Sequence, residues 1–190
     1  MHPRIRLELA KRWSEPHREH HDTDHLAEVI GALDVLADEG LVFDVELTRT
    51  AAWFHDAVYD VHRDDSVARS AQLAQRWLGP DQGDRVAEIV LSTQDHVAPD
   101  GDVEAAALCD ADLSILGQSE ERYDRYAAAI RAENDYLPAT EYRALRAKVM
   151  ARYQNRPQIF VTEPGYRLWE TPARVNIARE LTGLGRPVPV

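Results

Sequence analysis

The stretch TDHLAEVIGALDVLADEG, Thr23 to Gly40, decides the fold class. Its apolar residues Leu26, Val29, Leu33 and Leu36 recur at steps of three and four, with Ile30 beside them, the period of a helix with one buried face. Asp22 or Thr23 is a suitable N-cap, because a short side-chain oxygen accepts a hydrogen bond from an amide of the first turn. Glu39-Gly40 ends the element, with glycine just past the last turn. His25 stands in the opening turn, directly before the apolar stripe begins.

The same period carries on along the chain. Asp44 caps a second helix through Leu47, Ala51, Phe54 and Val58, and a third runs from Asp65 to Leu78 before Gly79-Pro80. A fourth carries Val86, Ile89, Val90 and Thr93, and Pro99-Asp100-Gly101 reads as a loop. Helices are expected over 102–116, 119–135, 139–154 and 170–183, with breaks at Gly117, Pro138, Pro157 and Pro164-Gly165. No segment alternates with period two, and there is no repeat or low-complexity tract. The expectation is an all-α, single-domain helical bundle of seven to nine helices without a sheet, its core spanning residues 12–183 and residues 184–190 forming an extended tail.

Composition narrows the function classes. A chain of 190 residues can bury a core without staples, and the single Cys109 excludes a disulfide framework and a four-cysteine zinc module. Asp and Glu number 33 against 22 Lys and Arg, a net charge of −11 that opposes binding to a nucleic-acid duplex. Apolar runs such as Ala105 to Cys109 fall far short of the roughly 20 residues of a membrane span. Met1 to Arg6 lacks the apolar stretch of a signal peptide. These features point to a cytoplasmic protein with no membrane partner, and a helical domain of this size is compatible with a homodimer.

Seven of the eight histidines fall within the first 62 residues. Three polar groups abut apolar stretches: Asp24-His25 before Leu26, His55-Asp56 after Ala51-Ala52-Trp53-Phe54, and Asp110-Ala111-Asp112 after Ala107-Leu108-Cys109. Burying any of them unpaired costs several kcal/mol, roughly 2–7 by transfer measurements. One metal ion would satisfy them together. Imidazole with carboxylate suits a divalent ion among Mn, Co, Ni, Fe, Zn or Mg. Adjacent helical residues point about 100° apart, so His55 and Asp56 share an ion only if it lies close to their helix.

The words RWSEPHREHH (Arg12–His21), WFHDAVYD (Trp53–Asp60) and DADLSILG (Asp110–Gly117) resemble the HD-domain superfamily of metal-dependent phosphohydrolases, in particular a bacterial subgroup of predicted HD phosphohydrolases. The resemblance runs from about Arg12 to Glu180. It implies His25, His55 and Asp56 as metal ligands, with either Asp110 or Asp112 as the fourth. Some members carry a glutamate three residues after the pair, where this chain has Tyr59. Asp60, with Asp64 or Asp65 assisting, is then implied as the group that orients or deprotonates the attacking water. His96 corresponds to a histidine that faces the site in relatives, as a phosphate contact or a ligand of a second ion. One of His17, His20 and His21 is expected to line the pocket.

Arg18, Arg143 and Arg146 are candidate phosphate forks, the last two being three residues apart on one helical face. Trp53 is a candidate to press on a nucleobase. The function implied is hydrolysis of a small phosphorylated molecule, with nucleotides among the candidates. The alternatives are a non-catalytic metal- or nucleotide-binding module and a di-iron oxygenase.

Overall fold

The Asp22 carboxylate caps its helix by accepting hydrogen bonds from the Asp24 and His25 amides, at 2.9 and 3.2 Å. This helix places Leu26, Val29, Leu33 and Leu36 in the core, as the periodicity requires. The computed structural model describes residues 1–185, and every regular element among them is helical. In order they are α1 (Pro3–Trp13), α2 (Thr23–Asp38), α3 (Val45–Phe54), α4 (Ser66–Leu78), α5 (Gln82–Leu91), α6 (Val103–Leu113), α7 (Glu120–Glu133), α8 (Ala139–Gln154) and α9 (Glu163–Gly183). Single 3₁₀ turns at Ser92–Gln94 and Ser114–Gly117 follow α5 and α6. No described helix is long and apolar enough to cross a membrane.

α2, α3 and α6 pack against one another and form the centre; α4 and α5 pair beside α3, and α8 packs on α9. Leu33, Phe54, Ile89, Leu108, Leu116, Phe160 and Ile177 belong to one continuous apolar core. Full burial of each such side chain stabilises the fold by roughly 1.5–3 kcal/mol relative to exposure. Because α2, α3 and α6 converge there, His25, His55 and Asp112 at their ends are brought into the same region.

Three boundaries differ from the sequence reading. Residues 3–13 form a helix that was not expected, started by Pro3 in its first turn and by a His2 ring nitrogen accepting from the Arg4 amide. It buries Leu9 and Trp13, so the core begins before residue 12. α3 stops at Phe54 rather than at Val58, and the chain turns through His55-Asp56. α9 begins at Glu163, not at 170: Pro164 sits in its first turn, where a missing N–H costs nothing, and Thr162 is its N-cap. Residues 186–190 of the expected tail lie outside the described residues.

Candidate metal centre

The early end of α3 is what assembles the centre. His55 caps that helix, and its Nδ1 lies 2.7 Å from the Ala52 carbonyl oxygen. A carbonyl only accepts, so Nδ1 carries the proton and Nε2 is directed at the cluster. The next residue, Asp56, lies in the turn after the helix, and its Oδ2 is 3.4 Å from His55 Nε2. The turn thus brings together two neighbours that a continuing helix would splay apart.

His25, from the first turn of α2, points its Nε2 to within 3.3 Å of His55 Nε2. His25, His55 and Asp56 offer ligand atoms within 4.8 Å of one another, a group that could hold a metal ion. Asp112, on the last turn of α6, joins them: its Oδ1 lies 3.1 Å from His25 Nε2 and 3.6 Å from His55 Nε2. Its Oδ2 accepts from His96 Nε2 at 2.8 Å. Trp13 forms a fixed wall behind the two rings, 5.3 Å from His55 centre to centre, and is itself tied by its indole N–H to the Trp53 carbonyl.

The electrostatics match this geometry. Burial by itself would lower the His55 pKa, but the Asp56 and Asp112 carboxylates outweigh it and push the imidazolium up to about 9 in the metal-free protein. Burial would raise Asp112, and the His55, His25 and His96 rings hold it well below the usual carboxylate range instead.

Asp110 is not part of the cluster. Two residues along a helix correspond to a turn of about 200°, so Asp110 and Asp112 leave α6 on opposite sides. The Asp110 oxygens accept from the Val161 amide (3.0 Å), the Thr162 amide (2.8 Å) and the Thr162 hydroxyl (2.7 Å). A methyl group at Gly165 would collide with this carboxylate, so glycine is required where α9 starts against α6. Desolvation raises the Asp110 carboxyl to about 6 even though three hydrogen bonds favour its charge.

The remaining candidates divide. His96 faces the cluster; its backbone lies in the left-handed region (φ 49°), held by Arg156, which donates to its carbonyl, and its Nδ1 lies 3.1 Å from the Tyr153 hydroxyl. Asp60 lines a separate cavity of about 550 Å³ with His17, Tyr59 and Tyr136, and Asp64 is exposed. Neither lines the cavity of the cluster, because the chain after Asp56 runs outward before α4. Arg18 is buried as a brace, donating to the carbonyls of His21 and Asp56 at 2.8 and 2.9 Å. Arg143 is exposed, while Arg146 is buried and lines the cluster's cavity, so the two do not form one fork. Trp53 lies on another surface, under Arg6, and does not line that cavity.

Sequence reasoning missed Glu133. From the end of α7 its Oε1 accepts from the amides of Glu19, His20 and His21, and its Oε2 accepts from the Tyr59 hydroxyl at 2.7 Å and from His21 Nδ1 at 2.7 Å. Burial opposes its charge, but the His21 ring and these amides lower its pKa far more. One signal was present: an acid in the last turn of a helix opposes the helix dipole, which implies another partner. Both His20 and His21, not one, line the cavity. Comparison with known proteins found no matching family model, no matching curated protein and no matching solved structure.

Proposed function

We propose that this protein is a metal-dependent phosphohydrolase of the HD type acting on a small phosphorylated molecule. The observation that carries the reading is the convergence of His25, His55, Asp56 and Asp112 from three separate segments, with Asp56 and Asp112 also lining the adjoining cavity. The donor set fits a divalent ion: two imidazole Nε2 atoms, one with its tautomer fixed by Ala52, face two carboxylates in a buried site. The resemblance of the three sequence words to HD phosphohydrolases points the same way.

His25, His55, Asp56 and Asp112 would hold the ion. When bound, it supplies Lewis acidity at a phosphoryl oxygen and a nucleophile at neutral pH. The chain's own residues do the rest. His96 donates from Nε2 to Asp112 Oδ2 and keeps that carboxylate turned to the cluster. His21, with Nδ1 committed to Glu133 and the residue lining the cavity, replaces Asp60 and Asp64 as the group placed to move a proton. Tyr59 donates to the same Glu133 and fixes the pair.

A substrate panel of phosphate esters with Mn, Co, Ni or Mg tests the reading. Phosphate release by the wild type and its loss in His55→Ala are expected; an inert metal-loaded wild type across the panel sinks it. A non-catalytic binding module is favoured by one observation, the position of Asp60 and Asp64 outside the cavity. Tight metal-dependent binding of an ester without product over long incubation would establish it.

A further inference from the structure

His20 is 5% exposed and borders the cavity beside the cluster. Its backbone amide donates to Glu133 at 2.8 Å, but among the described residues its ring nitrogens meet no hydrogen-bond partner. Aromatic rings surround it instead, with His25, Tyr126 and His21 at 4.5, 4.7 and 4.8 Å between centres. An imidazole keeps at least one N–H in either protonation state. A buried donor without an acceptor is rare, because its lost hydration is not returned. Such a ring is placed for something that enters the cavity.

Tyr126 repeats the pattern beside it. It is 8% exposed and borders the same cavity. Its oxygen accepts from Arg146 Nη1 at 3.2 Å, and among the described residues nothing accepts its own proton. Arg146 is in turn held by Glu180 at 2.8 and 3.2 Å. The guanidinium is thus engaged inside the wall, where its donation to the Tyr126 oxygen makes that hydroxyl a stronger donor.

Two unengaged donors on adjoining rings suit a ligand rich in acceptors. His20 also borders a second cavity of about 370 Å³, but Glu19, Asp22, Asp24 and Glu28 line it and repel an anion, and its Arg122 is already bound to Glu28. Tyr126 lies on the cluster's side, where the cavity encloses about 240 Å³. That is several times the roughly 30 Å³ share of a water molecule in the liquid, room for a tetrahedral oxyanion. Resting on the phosphohydrolase reading, we propose that His20 and Tyr126 contact the substrate's phosphoryl oxygens, donating one ring N–H and one O–H, with Arg146 acting through Tyr126 rather than on the phosphate.

Inorganic phosphate is the probe, titrated by calorimetry into the Mn-loaded wild type and variants. His20→Phe and Tyr126→Phe keep the rings and remove one donor each. Each is expected to weaken phosphate binding by about tenfold or more, the loss usual for a hydrogen bond to a charged partner, and to leave Mn affinity near wild type. His20→Asn and His20→Gln place an amide N–H near one ring nitrogen or the other, and one of them should recover part of the loss. Unchanged phosphate affinity in His20→Phe and Tyr126→Phe, or no phosphate binding by the wild type, overturns the proposal. A parallel fall in Mn affinity in His20→Phe makes His20 a ligand of the ion and overturns it as well. Thermal unfolding checks each variant, and if His20→Phe does not fold, Tyr126→Phe decides. Phosphate binding that needs both donors, with no ester cleaved across the substrate panel, sinks the phosphohydrolase reading and leaves the two contacts standing. Ester cleavage with an unchanged KM in both variants does the reverse.

Discussion

Asp110 and Asp112 stand one residue apart on α6, are both shielded from solvent, and do opposite jobs. Asp110 faces α9 and is saturated by donors that cannot leave: two amides and a hydroxyl of the Val161-Thr162 segment. Asp112 faces α2 and the turn after α3, where its partners are three imidazoles. The first arrangement spends every acceptor on joining two helices. The second keeps a carboxylate among groups that exchange protons or metals. Identical side chains at a spacing of two are thus divided between architecture and chemistry by the helical twist alone.

Removing each one in turn should separate these jobs. Asp112→Ala is expected to weaken binding of Mn or Zn by more than about 100-fold, beyond the 10–100-fold typical of losing an outer partner of a ligand. Titration calorimetry measures this, and at neutral pH the metal-free variant should also lose stability, because the buried His55 ring loses one of the carboxylates that favour its charge. Asp110→Ala should instead act on stability alone. It leaves two backbone donors and the Thr162 hydroxyl facing a void, at a cost of about 2 kcal/mol in denaturant unfolding, while metal affinity in the folded fraction stays near wild type. A loss of metal binding in Asp110→Ala without loss of stability would reverse the assignment.

That the two could not be told apart in the sequence has a physical cause. The periodicity of residues 23–40 made α2 legible, and with it the position of His25, because burial acts on every third or fourth residue. His55-Asp56 was legible as a pair but not as a turn, since nothing local forces α3 to stop at Phe54. On α6 the apolar residues surround both aspartates, so hydrophobic pattern does not tell which side faces the imidazoles; that depends on where α9 docks. The start of α9 was hidden in turn, because Pro164-Gly165 has the composition of a break and serves here as a first turn. Glu133 lies 112 residues from His21, a pairing no local rule reaches. Asp60 and Asp64 follow the HD pair closely in sequence, but the outward path after Asp56 carries them from the cavity.

The smallest and most specific difference between the two aspartates is the sign of their pH dependence. Asp110 is raised from 3.8 to about 6. Between those values the native protein binds more protons at this site than the unfolded chain does, so its contribution to stability grows as pH falls through 6 and is complete below 3.8. Asp112 is lowered below 3.8, so its contribution is present above that value and is lost as pH falls further. Carbon-13 titration of the metal-free protein should show one carboxylate with a midpoint about 6 that disappears in Asp110→Asn, and a second, removed by Asp112→Asn, that stays ionised until acid unfolding. Across pH 4–6 the wild type should lose less stability on acidification than Asp110→Asn does. If both aspartates titrate together near their ordinary value, the opposition between a helix joint and an imidazole cluster is wrong, and with it the reason for placing only Asp112 in the candidate metal cluster.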